Sequence, residues 1–242
     1  MKRGILCFVF AAFFALPALA AAEVHGVYIA PKFLLGIQDT GQISTDGRFE
    51  NGDKSFSQHS QAVFGGALAV GYNFAPKFNI PIRTEIEFAM RSNSSSSKDS
   101  SVNFVEGGIP GTLTESTKLN MNISTLFFNA YFDINTGTAF TPYIGGGLGM
   151  AFKYVQAKAE WNDNVPGLGV NVGGSASKSK HDTTFAWNVG AGLAYAFTEN
   201  VSADLGYRFV HTGNSELKTG GAKVYSSSPY IHEFYLGARF TF

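Results

Sequence analysis

The sequence predicts an all-β protein, a transmembrane antiparallel up-and-down β-barrel of eight strands with four long extracellular loops and three short periplasmic turns. Three observations carry that expectation. Apolar residues recur with a strict period of two, in segments of ten to fifteen residues. One face of each segment is bulky and apolar, while the other is glycine, alanine and balanced charge. The connections between segments alternate short and long.

Composition sets the frame. The chain has 242 residues, 15% charged and 14% aromatic, with 23 Phe and 28 Gly, enough for one domain. Soluble domains carry about a quarter charged residues, and a helical membrane protein shows continuous apolar runs. Neither pattern is present here. Residues 1–22 read as a secretory signal peptide: Lys2 and Arg3 are basic, Ile5 to Leu16 are apolar, and Ala18-Leu19-Ala20 forms a small-residue site. Cleavage follows Ala20 or Ala22, leaving residues 23–242 as a single barrel domain. The apolar run falls short of the roughly 20 residues a spanning helix needs. Cys7 is the only cysteine and leaves with this segment, so the mature chain forms no disulfide and no thiolate metal site. Without Lys2 and Arg3 the 18 basic residues become 16, against 18 acidic. That balance argues against nucleic acid as a partner.

Eight alternating segments follow, at about 25–37, 62–74, 80–92, 120–134, 141–154, 183–197, 200–212 and 231–242. In the second, Phe64, Gly66, Leu68, Val70, Tyr72 and Phe74 share a face, opposite Gly65, Ala67, Ala69, Gly71 and Asn73. In the sixth, Phe185, Trp187, Val189, Ala191, Leu193, Tyr195 and Phe197 oppose a set dominated by Ala and Gly. The second face of a soluble sandwich meets water and carries Lys, Glu and Thr. A face of small residues fits the cramped lumen of a narrow barrel whose bulky residues meet lipid. The same inward face carries Arg83, Glu85, Glu87 and Arg91 in the third segment, Asp133 in the fourth and Lys153 in the fifth. Asp204 and Arg208 follow in the seventh, and Glu233 and Arg239 in the eighth. One charge turned to lipid costs about 2–4 kcal/mol at the midplane. These ten are therefore expected inside, as a barrel-interior network of mutually paired charges.

The short connections are 75–79, 135–139 and 198–199. The long ones are 38–61, 93–119, 155–182 and 213–230, rich in Gly, Ser, Asn and Asp. Alternation of this kind is what an even-stranded outer-membrane barrel requires. The tract Ser94-Ser95-Ser96-Ser97 is expected in a mobile loop. Tyr28, Tyr72, Phe74, Tyr154, Trp187, Tyr195 and Tyr207 are candidates for aromatic girdles at the membrane boundary.

The tail Gly237-Ala238-Arg239-Phe240-Thr241-Phe242 resembles the assembly signal of outer-membrane barrels, with Gly237, Phe240 and Phe242 carrying the likeness. The whole mature chain resembles the opacity-type family of surface antigens. The resemblance rests on Pro142-Tyr143-Ile144-Gly145-Gly146-Gly147-Leu148-Gly149, Asn129-Ala130-Tyr131-Phe132-Asp133, Asn188-Val189-Gly190-Ala191-Gly192-Leu193-Ala194-Tyr195 and Leu205-Gly206-Tyr207-Arg208-Phe209. It implies an eight-stranded barrel, integral to the outer membrane of a Gram-negative-type envelope and reached through the periplasm. It also implies a non-enzymatic surface protein whose loops serve adhesion and envelope structure. The partners implied are outer-membrane lipids and lipopolysaccharide, the barrel-assembly machinery, and a host or envelope ligand held by the loops. Those loops centre on Phe49, Phe104 to Ile109, Trp161 to Val170 and Lys218 to Tyr225. No cofactor is expected.

Two rival functions stand beside this one. A narrow passive channel would use Arg83, Glu85, Glu87 and Arg91 as pore lining; yet an eight-stranded interior is just wide enough for side chains to fill, which favours a plug. An outer-leaflet lipid A hydrolase would use His211, because Arg208-Phe209-Val210-His211-Thr212-Gly213 resembles the stretch of lipid A deacylases in which a His precedes a nucleophilic Ser by two residues. Here that position is Gly213, which has no nucleophile. No catalytic residue and no metal site is assigned. His25, His59, His181 and His232 lack ligand spacing, and Asp46 to Asp53 lacks the spaced acids of a calcium loop.

Overall fold

Alternation and closure decide the architecture. The computed structural model describes residues 26–39, 60–106, 108–219, 222–227 and 229–242, so the expected signal peptide and Phe49 lie outside the described residues. The strands are β1 (Val27–Asp39), β2 (Ser60–Asn73), β3 (Ile82–Arg91), β4 (Ser94–Glu106), β5 (Ile109–Asp133), β6 (Phe140–Val165), β7 (Val170–Ala196), β8 (Val201–His211), β9 (Ser215–Thr219), β10 (Ala222–Ser227) and β11 (Tyr230–Thr241). Eight of them form the wall in the order β3-β2-β1-β11-β8-β7-β6-β5, and pairing of β3 with β5 closes it. Closure leaves the wall without a free sheet edge, which lipid demands.

The short connections are built from local polar chemistry. Between β2 and β3 lies the single helical turn α1 (Ala75–Phe78), with Pro at its start and Asn79 at φ 55° ending it. Between β5 and β6 the Asn135 carboxamide accepts the Gly137 N–H at 2.9 Å, an Asx turn that suits Gly137 at φ +69°. Between β7 and β8 the Thr198 hydroxyl accepts the Val201 N–H at 3.0 Å. On this same rim the Gly26 N–H donates to the Phe242 carbonyl at 2.9 Å.

The long connections depart from expectation. Residues 93–119 and 155–182 are not irregular loops. β4 pairs with β5 in continuous register from Ser94↔Met121 to Glu106↔Ile109. β6 pairs with β7 without a break from Phe140↔Tyr195 to Val165↔Val170, and a 3-10 turn at Pro166–Leu168 joins them. The Ser94–Ser97 tract therefore belongs to a strand. The stretch 213–230 contains the β9–β10 hairpin. These strands escape sequence reading because neither face meets lipid above the membrane. No apolar period marks them, and their pairing is templated by the strands rising from the wall.

Burial is inverted relative to a soluble domain. Phe64, Leu148 and Phe185 on the outward face are 63%, 62% and 63% exposed, while the inward charges are buried. Toward the long-hairpin rim the lumen is capped by apolar side chains, among them Val63, Met121, Ile123, Phe127, Val155 and Ile231. Tyr28 is not at a girdle. In β1 the even positions face inward, and Tyr28 is fully buried beside Ala30 and Ala69.

Candidate functional site

Two regions hold the functional chemistry, the lumen and the sheet that rises above the wall. In the lumen, six charges alternate in one chain across the barrel. Lys32 Nζ lies 2.5 Å from Glu85 Oε1 and 2.6 Å from Glu87 Oε2. Arg208 Nη1 lies 2.6 Å from the other Glu87 oxygen and its Nη2 2.7 Å from Glu233 Oε2. Arg91 Nε closes the series on Glu233 Oε1 at 2.7 Å. Three acids meet three bases, so the chain is neutral, and every carboxylate in it is shared or multiply bonded. Glu85 further accepts from the Tyr131 hydroxyl at 2.9 Å and the Asn129 carboxamide at 3.2 Å. Nearer the short-turn rim, Arg83 pairs with Asp133 at 2.6 Å and Arg239 with Asp204 at 3.6 Å. Lys153 is buried at the level of the apolar cap, between Ala151 and Val155 on β6, and donates to the Gly213 carbonyl at 2.6 Å.

Four glycines of the inward face each have a tyrosine partner. Tyr28, Tyr131, Tyr143 and Tyr235 sit directly opposite Gly71, Gly145, Gly192 and Gly206 on neighbouring strands. Each ring occupies the space a Cβ would need. The rings then reach the charges: Arg83 stacks 4.9 Å from the Tyr143 centroid, and Arg208 5.5 Å from that of Tyr235. The cavity left among Lys32, Arg83, Glu85, Tyr131, Tyr143 and Tyr235 is about 10 Å³, about the space of one water. This is a filled core.

Thus the structure places nine of the ten sequence-derived interior charges in ion pairs with one another or with Lys32, and it places Lys153 on the Gly213 carbonyl. Sequence reasoning missed Lys32 and the four tyrosines. The signal for Lys32 was present, since it shares the face of Tyr28, Ala30, Gly36 and Gln38. The run Phe33-Leu34-Leu35 hides that alternation by placing Leu34 inside. His211 is bound into the wall: its ring stacks on Trp187 at 5.6 Å and 18°, and its Nδ1 accepts the Gly213 N–H at 3.2 Å.

Above the wall, β5, β6 and β7 run for 25, 26 and 27 residues. A spanning strand needs about 9–11. The surplus of about 15 residues is about 50 Å of strand at 3.3 Å per residue, or about 38 Å of height at a 40° tilt. With β4 these strands make a four-stranded sheet. One cross-strand row reads Asp99↔Ser116↔Glu160↔Ser175, and the next begins Ser101↔Thr114↔Asn162. A recess of about 720 Å³ lies here, lined by Asp99, Thr114, Ser116, Glu160, Trp161 and Asn162 among others. Trp161 is 44% exposed and covers Gly174 on β7.

Comparison with known proteins agrees with this geometry. The family model described as outer membrane protein beta-barrel domain matches residues 6–242. The outer membrane protein PagN of Salmonella typhimurium is 29% identical over 201 residues, covering 81% of this chain and 79% of that protein. A Rickettsia bellii (strain RML369-C) protein provisionally designated an adhesin is 24% identical over 169 residues, covering 69% of this chain and 66% of that one. The crystal structure of Neisserial surface protein A is similar in fold, with a TM-score of 0.50 at 16% identity over 90% of this chain and 99% of that one.

Proposed function

Because the chain belongs to the outer membrane protein beta-barrel domain family, we propose that its barrel is an anchor and that the sheet above it is an adhesive surface. The protein is integral to the outer membrane, and the short-turn rim faces the periplasm. One observation carries the adhesive reading: three wall strands continue far beyond any membrane requirement, in unbroken register, and end in polar hairpins with an exposed Trp161. Exposed aromatic anchors among polar groups are what a binding surface offers a partner. The designation of the Rickettsia relative as an adhesin supports the same reading. The role is non-enzymatic: His211 has no hydroxyl two residues on, and its ring is committed to Trp187. A passive channel is disfavoured by the lumen, whose charges neutralise one another under an apolar cap. Gly237, Phe240 and Phe242 form the assembly signal read by the barrel-assembly machinery.

The test uses beads coated with refolded protein on cultured epithelial monolayers. A variant lacking residues 98–117 and 158–178 keeps the wall strands and is compared with the full chain. Binding is expected to fall to the level of uncoated beads, while the trimmed barrel still shows the gel shift between heated and unheated samples. Equal binding by the folded trimmed barrel would refute the adhesive role of the sheet.

A further inference from the structure

The small cavity in the lumen is lined by hydrogen-bonding capacity that the ion pairs leave unspent. Its walls include Lys32, Arg83, Glu85, Tyr143, Asp204 and Tyr235. Lys32 Nζ donates to Glu85 and to Glu87, which uses two of its three protons. The hydroxyls of Tyr143 and Tyr235 meet at 3.1 Å. One donates to the other, so one O–H of the two is left to find an acceptor elsewhere. Asp204 offers that acceptor: it is 4% exposed, and its Oδ1 makes no hydrogen bond. Arg239 Nη2 lies 3.6 Å from that oxygen, too far for a hydrogen bond. Two spare donors and one unused acceptor therefore border a single cavity, and buried polar groups are costly when left without a partner.

Size and charge select the occupant. About 10 Å³ admits one water and nothing larger. The walls carry two bases, Lys32 and Arg83, and two acids, Glu85 and Asp204. A cation would meet the two bases and an anion the two acids, so a neutral occupant fits. We infer that this cavity is the site of one structural water. It accepts from Lys32 Nζ and from the spare tyrosine hydroxyl, and it donates to Asp204 Oδ1 and to a Glu85 oxygen. Those four bonds complete its shell. The water joins the Arg239–Asp204 pair near the short-turn rim to the six-charge chain that begins at Lys32. Glu87 is not among the walls, so the chain beyond Lys32 stays dry.

The test is water-edited solid-state NMR on the full-length protein in phosphatidylcholine bilayers, which passes magnetisation from water protons to nearby carbons. The Asp204 carboxyl carbon and the oxygen-bearing ring carbons of Tyr143 and Tyr235 are expected to receive it at short mixing times, and Phe127 in the apolar cap is not. Ala30 on β1 also lines the cavity and supplies two variants. Ala30→Ser puts a hydroxyl where the water lies. It removes the transfer to both tyrosines and unfolds in urea within about twofold of the native rate. Ala30→Val expels the water and returns no hydrogen bond. It also removes the transfer, and it unfolds about tenfold faster, the effect of one buried group left unsatisfied. Absence of transfer to Tyr143 and Tyr235 in the native protein would overturn the assignment, and so would transfer that persists in Ala30→Ser. An Asp204 carbon shift that moves when sodium chloride is replaced by choline chloride or sodium bromide would overturn it too, because it would give the cavity to an ion.

Discussion

Glu87 is the position where the lumen is most exposed to test. It is fully buried and stands third in the alternating chain of six charges, between Lys32 and Arg208, each 2.6 Å away. Glu87→Gln keeps the shape and removes one negative charge, leaving the chain with three bases and two acids. Breaking a buried ion pair by removing one partner costs about 3–5 kcal/mol, because the remaining charge is buried without compensation. Here Lys32 keeps Glu85 and Arg208 keeps Glu233, so the lower end applies, about 3 kcal/mol or about 150-fold in the unfolding equilibrium constant. A second substitution, Arg208→Gln, restores neutrality by leaving Lys32 with Glu85 and Arg91 with Glu233. The Glu87→Gln/Arg208→Gln double variant is expected to cost about 1–2 kcal/mol less than the sum of the two single variants, the coupling between residues in contact. The assay is urea titration of the barrel in lipid vesicles, followed by tryptophan fluorescence. A cost below about 1 kcal/mol for Glu87→Gln, the value typical of a solvent-screened pair, would refute the idea of a dry lumen. So would a double variant whose cost equals the sum of the singles.

Four further outcomes follow from the same geometry. Gly192→Ala places a methyl group where the Tyr143 ring lies and disturbs its 3.1 Å hydroxyl contact with Tyr235; overpacking predicts a loss of about 1–3 kcal/mol in the same titration. Gly66→Ala, whose nearest neighbour is the Lys32 carbonyl at 3.7 Å, should stay within about 0.5 kcal/mol. In planar bilayers the purified barrel is expected to give no steady conductance, and a stable open state would show that the charge chain yields to ions. Phe242→Ala should lower the amount of barrel assembled in cells without lowering refolding yield in detergent, because the terminal backbone bonds to Gly26 and Val27 do not depend on that ring.

The wall was legible because the membrane imposes a period. Lipid requires Phe64, Leu68 and Val70 on one side, and the lumen requires Gly65, Ala67 and Ala69 on the other, so the sequence of β2 reads as its own cross-section. The interior charges were legible by exclusion, since Arg83, Glu85 and Glu87 could not face acyl chains. Their partners were not, because pairing joins residues as far apart as Arg91 and Glu233, 142 positions along the chain. Only the strand order and register bring those two together. Tyr28 was misplaced because a tyrosine suits both a membrane boundary and a cavity above a glycine. The choice depends on Gly71 standing opposite it. The upper halves of β5, β6 and β7 were invisible for the opposite reason. Water on both faces removes the pattern, and Ser175, Ser177 and Ser179 look like loop although they are paired in register.

The inverted packing has a consequence for where this protein can vary. A soluble domain is held mainly by its apolar interior, so its surface strands and loops are tied to the same core. Here apolar burial is supplied by lipid outside, and the interior is held by closure of the wall, the charge chain and the tyrosine–glycine pairs. None of those three elements reaches the upper sheet. Contacts of β4 are made almost wholly with β5, and those of the upper β7 with β6. Substitutions at Asp99, Thr114, Glu160 or Trp161 therefore leave the network around Glu87 intact, and binding chemistry there can change without endangering the anchor. One residue pair marks where β7 parts from β8: Trp187↔His211 is the last register between them, and beyond it only the Thr184 hydroxyl, donating to the Thr212 carbonyl, continues the side-chain hydrogen bonding between β7 and the end of β8. A change that weakens this pair, such as Trp187→Ala, should loosen the base of the sheet. It should show as faster amide exchange at 176–186 with unchanged exchange at 188–196. Equal acceleration on both sides of residue 187 would mean that wall and sheet are one cooperative unit, and that the surface is less free than this packing implies.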